Sequence, residues 1–357
     1  MTKKLTICLT GGGTAGHVSP HFALIPRMKD RHHDVFYIGS NGIESTLVPS
    51  RGIPFYSIPV GKLRRYFSFQ NLLDIFKIAA GTASAFSILA RRKPNVVFSK
   101  GGFVSVPVAV AAWLLRIPVV THESDLSPGL ATKIVSKFAK KILYTFPETA
   151  KYLPVNAVHV GTPIREELFQ GKATEATKLC GFGLEARPTI LVMGGSQGAG
   201  KINHVLEECL PELVTRFNII HLTGPGKSST FSHPAYCGFE YVDDEMKDLL
   251  SLADVVVSRS GANSIFELLA LRKPMMLIPL LAGSRGDQVL NAEAFSKHGW
   301  ASVVDESNLT ADLFKKNLHD LIQNSGKMVL AQSTFAQADS TEHILSVLEQ
   351  AAHHSQD

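Results

Sequence analysis

Apolar residues along this chain form strand-length runs separated by stretches with helical spacing. The runs are rich in β-branched residues, which is typical of parallel strands buried on both faces. They predict five strands in the first half, at 5–10, 34–39, 95–99, 117–121 and 141–145. They predict six in the second half, at 189–193, 218–222, 238–242, 254–257, 275–278 and 301–304. Such alternation predicts an α/β protein with right-handed crossovers.

Helices are predicted between these strands and after the last of them. The spacing places them at 19–31, 70–91, 105–115, 128–139, 199–215, 245–252, 261–271, 287–298, 310–323 and about 327–352. Pro and Gly residues mark a linker near 147–165. We therefore expect domains at 1–160 and 161–337, with a C-terminal helix, about 338–357, packing back on the first domain.

Two glycine-rich loops, Gly11–His17 and Gly194–Gly200, each follow a predicted strand and precede a predicted helix. Backbone N–H groups at a helix N-terminus are suited to a phosphate or diphosphate. Since the geometry recurs half a chain apart, we expect two Rossmann-like domains that face each other across a nucleotide-sized cleft.

The two glycine-rich loops depart from the standard nucleotide-binding motifs, which argues against an NAD enzyme and against a P-loop ATPase. Gly11, Gly13 and Gly16 match the dinucleotide fingerprint, but the second strand ends in Gly39-Ser40 without the acid that holds a ribose. The second loop is followed by Lys201 and then Ile202, so it lacks the hydroxyl of a P-loop. No Asp-x-Asp occurs. We therefore expect a diphosphate to be stabilised by backbone amides and Arg, with no metal.

The charge of the chain is divided unequally. The net charge of +5 combines +13 in residues 1–160 with −8 in the remainder. Residues 62–93 place apolar side chains between basic clusters, and no apolar run reaches the ~20 residues of a membrane span. The segment is either a helix packed on the sheet or a surface that binds anionic lipid, and the charge favours the second. Nucleic acid is a poor candidate partner, because no basic stripe interleaved with aromatic residues appears.

Three side chains near the predicted strand ends are candidates for chemistry. His17 follows the first glycine loop and is the first choice for a general base. Glu123 follows a strand and is the second choice. Glu267 could accept the hydroxyls of a ribose, although a carboxylate in an early helical turn also has a purely structural explanation. The four cysteines are scattered, which argues against a zinc site or a disulfide framework.

These motifs, taken in order, resemble the bacterial MurG family of N-acetylglucosaminyltransferases over essentially the whole chain. The resemblance rests on seven segments: Gly12–Pro20, Gly101–Pro107, His122–Asp125, Gly161–Arg165, Gly194–Ala199, Ser258–Ala262 and Asp287–Ala292. It implies the two-domain GT-B glycosyltransferase fold, UDP-N-acetylglucosamine (UDP-GlcNAc) as donor and lipid I as acceptor. It also implies a peripheral protein at the cytoplasmic face of the bacterial plasma membrane, no cofactor, and cell-wall synthesis complexes as further candidate partners.

The resemblance assigns the C-terminal domain to the donor and the N-terminal domain to the acceptor and the membrane. It implies donor contacts at Thr14, Ala15, Gly16, Asp125, Arg165, Ser196, Gln197, Val242, Ala262, Asn263, Ser264, Ile265, Glu267 and Gln288. It implies contacts to the acceptor diphosphate at Gly13, Gly101, Gly102 and Ser105. Asp125 replaces an Asn and Asp287 a Gln of some members, so the sugar contact is assigned to Gln288 alone.

The expected reaction is inverting transfer to the C4 hydroxyl of the muramoyl sugar. Alternatives on the same fold are a UDP-GlcNAc 2-epimerase and a glycolipid synthase with another acceptor. A further alternative is a non-catalytic scaffold that binds a nucleotide sugar, against which His17, Glu123 and Arg165 argue.

Overall fold

The computed structural model describes residues 4–61, 69–183, 187–281, 286–336 and 339–353, without the side chains of residues 69–75. The chain divides into two compact units. Unit 1 is Met1–Arg165 with Ala338–Asp357, and unit 2 is Glu166–Gln337. Each is built on one parallel sheet, which confirms the predicted α/β class with two such domains.

The sheet of unit 1 has seven strands. They are β1 (Thr6–Thr10), β2 (Asp34–Gly39), β3 (Phe55–Ser57), β4 (Val96–Ser99), β5 (Val119–Glu123), β6 (Lys141–Tyr144) and β7 (Val158–His159). Their spatial order is β3-β2-β1-β4-β5-β6-β7, and every pair is parallel. The chain reverses its direction of winding between β1 and β4.

Helices cover both faces of this sheet. They are α1 (Ser19–Asp30), α2 (Glu44–Ser50), α3 (Phe69–Arg92), α4 (Ser105–Leu114) and α5 (Leu130–Val135), with 3-10 turns at Ala15–His17 and Pro147–Tyr152. One core joins the sheet to α1 and α2 through residues such as Leu24 and Val48. The other joins it to α3, α4 and α5, through Leu89 and Val135 among others.

Unit 2 repeats this plan with six strands. They are β8 (Thr189–Met193), β9 (Asn218–Leu222), β10 (Tyr236–Phe239), β11 (Val255–Ser258), β12 (Met275–Leu277) and β13 (Ser302–Val303), in the order β10-β9-β8-β11-β12-β13. Its helices are α6 (Ala173–Cys180), α7 (Gly200–Leu213), α8 (Met246–Leu252), α9 (Ala262–Ala270), α10 (Asp287–Lys297) and α11 (Ala311–Gln332), with 3-10 turns at Glu166–Gln170 and Glu306–Asn308. Leu206 of α7 and Phe314 of α11 belong to one buried core.

The last helix, α12 (Ser340–His353), belongs to unit 1. Ile344, Leu345 and Leu348 are fully buried in the core that contains α1. Ion pairs fasten the same contact, since Arg27 bonds Asp339 at 2.6 Å and Arg31 bonds Glu349 at 2.7 Å. The C-terminus of the described chain is thus part of the N-terminal core.

Several predicted elements differ from the observed ones. The helix predicted at 327–352 is wrong as one element, because α11 continues to Gln332 and a new helix begins at Ser340, where Asp339 accepts the N–H of Glu342. The strand predicted at 238–242 lies at 236–239, in register with β9. The helix predicted at 128–139 covers only 130–135. Four short elements, β3, β7, α2 and α6, were not predicted.

Among the helices that the structure describes, none combines the length and the apolar character needed to cross a membrane.

Candidate functional site

Many of the predicted site residues lie where each sheet changes its winding direction. In unit 1 the loops after β1 and β4 leave neighbouring parallel strands at their carboxyl ends. In unit 2 the loops after β8 and β11 do the same. Ligands of open α/β sheets bind at such switch points. Both glycine-rich loops therefore lie where the topology alone favours a ligand.

The first glycine loop is shaped by a buried acid, Glu44, at the start of α2. Its carboxylate accepts the N–H of Gly13 at 3.1 Å and the N–H of Ser40 at 3.0 Å. A Cβ on Gly12 would lie 2.2 Å from Glu44 Oε1, so a larger residue there would displace the Glu44 carboxylate. The amide of Gly13, expected at the acceptor diphosphate, is thus bonded to an internal anion. No motif in the sequence pointed to Glu44.

His17 lies beside the loop that follows β4. Its Nδ1 is 3.0 Å from Oγ1 of Thr14, a contact that orients the ring. A Cβ built on Gly101 would lie 3.5 Å from Cδ2 and 3.7 Å from Nε2 of the imidazole. His17 and the Gly101–Gly102 segment, far apart in sequence, are therefore neighbours. Thr14, Ala15 and Gly16 form the turn that leads into His17.

The loop after β4 turns on two left-handed glycines. Gly101 has φ +86° and Gly102 has φ +80°, and a Cβ on Gly102 would lie 2.3 Å from the carbonyl oxygen of Gly12. Helix α4 begins at Ser105, directly after this turn, so its first amides face the same end of the sheet. Ser105 is fully buried and donates to Gly101 O at 2.7 Å. It therefore holds the loop, and we do not place it among groups that contact diphosphate.

Beneath this loop lies a buried lysine. Lys100 is 3% exposed, and its Nζ contacts Nδ1 of His122 and lies 2.5 Å from Oγ of Ser124. Burial lowers the pKa of Lys100 to about 7, against the opposing charges of Glu123 and Asp125. Burial also lowers the pKa of His122 well below its ordinary value. A neutral His122 donates from Nε2 to Gly161 O at 2.8 Å and accepts from Lys100 at Nδ1.

Glu123 is occupied by the backbone. One carboxylate oxygen accepts the N–H of Asp125 and the other accepts the N–H of Gly129, both at 3.0 Å. The side chain is 6% exposed. This arrangement stabilises the turn that carries Asp125, and it favours His17 over Glu123 as the base.

The second glycine loop is packed backbone against backbone. Gly198 has φ +68°, and a Cβ there would lie 2.0 Å from the carbonyl oxygen of Thr223. Gly224 approaches it from the loop after β9. Asn203 of α7 donates to the same Thr223 oxygen at 2.8 Å. Ser196 and Gln197 form the tip of the loop, where Gln197 is exposed and Ser196 is half-buried.

Helix α9 starts after β11 and carries five of the predicted donor contacts. Ala262 and Ile265 are buried, whereas Asn263, Ser264 and Glu267 are partly exposed. The N-cap residue is Gly261, which has no side chain that could bond the first amides of the helix. The N-terminus of a helix favours an anion.

Gln288 is linked to the loop before α9. Its Oε1 accepts the N–H of Leu280 at 3.0 Å, and its carbonyl oxygen accepts Oγ–H of Ser260 at 2.7 Å. The side-chain amide is thereby oriented with its NH₂ group as the donor. Val242 is buried in the loop after β10, and Arg165 is the last residue of unit 1 before the chain enters unit 2.

Within the described residues, no group of three or more His, Cys, Asp and Glu side chains is placed to share a metal ion.

Comparisons with known proteins identify the family. Residues 7–144 match the glycosyltransferase family 28 N-terminal domain, and residues 189–347 match its C-terminal domain. The chain is 48% identical to a protein of Geobacillus thermodenitrificans over 358 residues, 99% of this chain and 100% of the relative. That relative is named UDP-N-acetylglucosamine–N-acetylmuramyl-(pentapeptide) pyrophosphoryl-undecaprenol N-acetylglucosamine transferase.

The chain belongs to the MurG family. A relative from Clostridium perfringens with the same name is 46% identical over 98% of this chain and 99% of its own. The structure of Acinetobacter baumannii MurG is similar to this one, with a TM-score of 0.74 at 24% identity, covering 98% of this chain and 100% of that chain. A protein of Listeria monocytogenes named as a candidate UDP-N-acetylglucosamine 2-epimerase has a TM-score of 0.68 at 12% identity, covering 99% and 98%. The fold is thus shared by proteins named for different reactions, whereas both relatives found by sequence carry the transferase name.

Proposed function

We propose that this protein transfers N-acetylglucosamine from UDP-GlcNAc to N-acetylmuramyl-(pentapeptide) pyrophosphoryl-undecaprenol, lipid I. The observation that carries the proposal is full-length identity of 48% to a transferase of that name. The acceptor oxygen is the C4 hydroxyl of the muramoyl sugar, and transfer inverts the anomeric carbon. The product is lipid II, used in peptidoglycan synthesis.

The acceptor is assigned to unit 1. Its diphosphate is bound by the loop after β4, through the Gly102 region and the start of α4, whose amides and helix dipole favour an anion. His17 adjoins that loop and takes the proton from the acceptor hydroxyl. Thr14 bonds Nδ1 of His17, so Nε2 is the nitrogen assigned to the proton transfer.

The donor is assigned to unit 2. The Ser196–Gln197 tip and the start of α9 bind its diphosphate. The backbone of Val242 holds the uracil and Glu267 the ribose. Gln288, oriented by the Leu280 amide, donates to the sugar. Arg165 and the turn Thr14–Gly16 complete the contacts that the family resemblance implies.

The chemistry follows from these assignments. As His17 accepts the proton, the acceptor oxygen attacks the anomeric carbon on the face opposite UDP, and the bond to the diphosphate breaks. Negative charge then grows on the departing UDP. Preorganised backbone amides at a helix start stabilise such charge without reorganisation, and one such donor is commonly worth ~100-fold or more in rate.

A membrane-facing surface is proposed on α3 and α4, which pack together in unit 1. Phe76, Trp113 and Leu114 are 66%, 55% and 54% exposed. Arg91 and Arg92 form the end of α3, and Lys93 follows them, so three basic residues lie together at this end of the helix. Residues 62–68 of the predicted lipid-binding segment lie outside the described residues. We infer a peripheral contact with anionic lipid on the cytoplasmic face, where the acceptor is anchored.

Vesicle sedimentation tests this surface. Replacing Phe76 and Trp113 together by Ser should reduce binding to anionic vesicles and leave UDP-GlcNAc binding unchanged. Val155→Ser is the matched control, because Val155 is fully exposed elsewhere in unit 1. Equal binding by the double variant and the wild type would reject the assignment.

The base assignment is tested by replacing His17 and measuring turnover and donor binding separately. His17→Ala should lower kcat by ~10²–10⁴-fold, the usual contribution of a general base, with little change in UDP-GlcNAc affinity. His343→Ala, an exposed histidine on α12, is the control and should leave kcat unchanged. Normal turnover in His17→Ala would remove His17 from the mechanism. Loss of donor binding in the same variant would instead assign His17 to binding.

The alternative functions predict different results when turnover of UDP-GlcNAc is measured. A 2-epimerase acts on UDP-GlcNAc without a lipid acceptor, and a scaffold binds it without turnover. A glycolipid synthase uses a different acceptor. The resemblance of folds does not separate these proteins, because the Listeria monocytogenes structure shares the fold at 12% identity.

A further inference from the structure

Lys100 connects two loops of unit 1 that carry proposed substrate contacts. Its backbone directly precedes the left-handed turn Gly101–Gly102, and its N–H donates to Thr10 O at 2.9 Å. Its side chain reaches the turn after β5, where Nζ lies 2.5 Å from Oγ of Ser124. Lys100 therefore connects the loop after β4, which is proposed to bind the acceptor diphosphate, to the turn that carries Asp125.

The surroundings of Lys100 are both buried and charged. Nζ also contacts His122, a neutral histidine held at its other nitrogen by Gly161 O. Burial has the largest effect on the pKa of Lys100 and lowers it. The charges of Glu123 and Asp125 raise it by less, so the pKa is about 7. His21 of α1 also faces it, since the charge of Lys100 contributes to the lowered pKa of His21.

The charge of this cluster matters because the substrates are anions. Without the ammonium of Lys100, two carboxylates would be left beside a loop that must bind a diphosphate. Asp125 adds one negative charge to this cluster, whereas an amide side chain at the same position would add none.

We propose that Lys100 is a positioning residue for the transfer reaction, which holds Ser124–Asp125 against the glycine loop and neutralises Asp125 when the anionic substrates bind. The inference rests on the proposed function. Lys100 does not touch the reacting atoms. It acts through the two turns that it joins.

Steady-state kinetics of Lys100→Met test the inference, with Lys137→Met, an exposed lysine near α5, as the matched control. Loss of a charged hydrogen bond should raise the KM for the lipid acceptor roughly 10-fold or more, with a smaller change in kcat. Adding Asp125→Asn to Lys100→Met should recover most of that loss. A double variant no better than Lys100→Met would overturn the proposed neutralisation.

The pH profile gives a second readout. With a pKa of about 7, Lys100 loses its proton as the pH rises through neutrality, so wild-type kcat/KM for the acceptor should fall on the alkaline side. Lys100→Met should lack that alkaline limb. An unchanged limb in the variant would overturn the assignment.

Thermal unfolding separates this inference from the proposed function. Non-additive shifts of the midpoint for Lys100→Met and Asp125→Asn would support their coupling even if the wild type transferred no sugar, in which case only the proposed function would fail. Additive shifts would overturn the coupling. Should Lys100→Met fail to fold, Lys100→Gln, which retains a donor for Ser124, replaces it in the same cycle.

Discussion

The carboxylate of Glu44 accepts the amide N–H of Gly13 at 3.1 Å and thereby fixes the first glycine loop from within. Glu44 is fully buried, and Ser40 bonds the same carboxylate through its N–H and its hydroxyl. A glycine loop after a first strand commonly indicates a phosphate. Here an internal anion already bonds one of its amides, so we assign the proposed ligand contacts to His17 and the loop after β4.

Replacing Glu44 by Gln should destabilise unit 1 and impair activity. The amide places an NH₂ group against backbone N–H donors, so at least one buried donor loses its acceptor, at a cost of about 1–3 kcal/mol. Chemical denaturation measures this loss. Glu148→Gln, an exposed acid in the 3-10 turn Pro147–Tyr152, should remain near the wild type. Equal stability of the two variants would contradict the role assigned to Glu44.

Gly198→Ala should disturb the donor loop of unit 2. The added Cβ would approach Thr223 O within 2.0 Å, and φ +68° is unfavourable for Ala. Affinity for UDP, measured by calorimetry, should fall at least ~10-fold as the loop shifts. Gly326→Ala is the control, because Gly326 lies in α11 with open space at its Cβ and should gain up to ~1 kcal/mol of helix stability. Normal UDP affinity in Gly198→Ala would show that this loop does not bind the diphosphate.

Arg31→Met should loosen the attachment of α12. Arg31 bonds Glu349 at 2.7 Å and also pairs with Glu342, and its side chain is 22% exposed. The free energy of unfolding should fall by about 1–2 kcal/mol, since both bonds are charged and partly shielded. Lys178→Met removes an exposed ion pair with Glu175 on α6 and should have almost no effect. A negligible effect of Arg31→Met would show that apolar packing alone holds α12.

Stability should fall on mild acidification. Burial lowers the pKa of His21 to about 3 and that of His221 to about 4, whereas an unfolded histidine titrates near 6.5. The unfolded chain therefore binds protons that the folded chain does not. The two neutral histidines make their full contribution to the free energy of unfolding above pH ~6.5. That contribution decreases as the pH falls toward 4, by about 1.4 kcal/mol per pH unit for each group. Denaturation at several pH values measures the slope.

His21→Leu provides the control for that slope. The ring of His21 packs edge-on against Tyr37 and Phe98, so an apolar residue of similar size should be accommodated. The slope between pH 6 and 4 should decrease by about one proton in this variant. An unchanged slope would mean that His21 does not carry the effect.

The sequence predicted most of the fold because the strands of a parallel sheet are buried on both faces. β1, β2, β8 and β9 are mainly apolar and were predicted to within one residue. β3 and β7, which were not predicted, lie at sheet edges and have only three and two residues.

The contacts that side chains make in the candidate site could be predicted less well from the sequence. Lys100 meets His122 because Ser99 pairs with Thr121 in the parallel register of β4 and β5, which places the residues that follow side by side. That register is a tertiary property. Glu44 likewise reaches Gly13 only through the fold, since 31 positions separate them. Residue types and loop positions thus predicted candidate site residues, and only the structure showed which of them are bonded within the protein.

The most direct test of the central claim is UDP release from UDP-GlcNAc, measured with and without a lipid I analogue and in the presence of excess chelator. We expect release that requires the acceptor and resists chelation, with inversion of the anomeric configuration of the transferred sugar. Release without acceptor would contradict it and indicate an epimerase-like reaction. Absence of release despite donor binding would equally contradict the proposed transfer to lipid I.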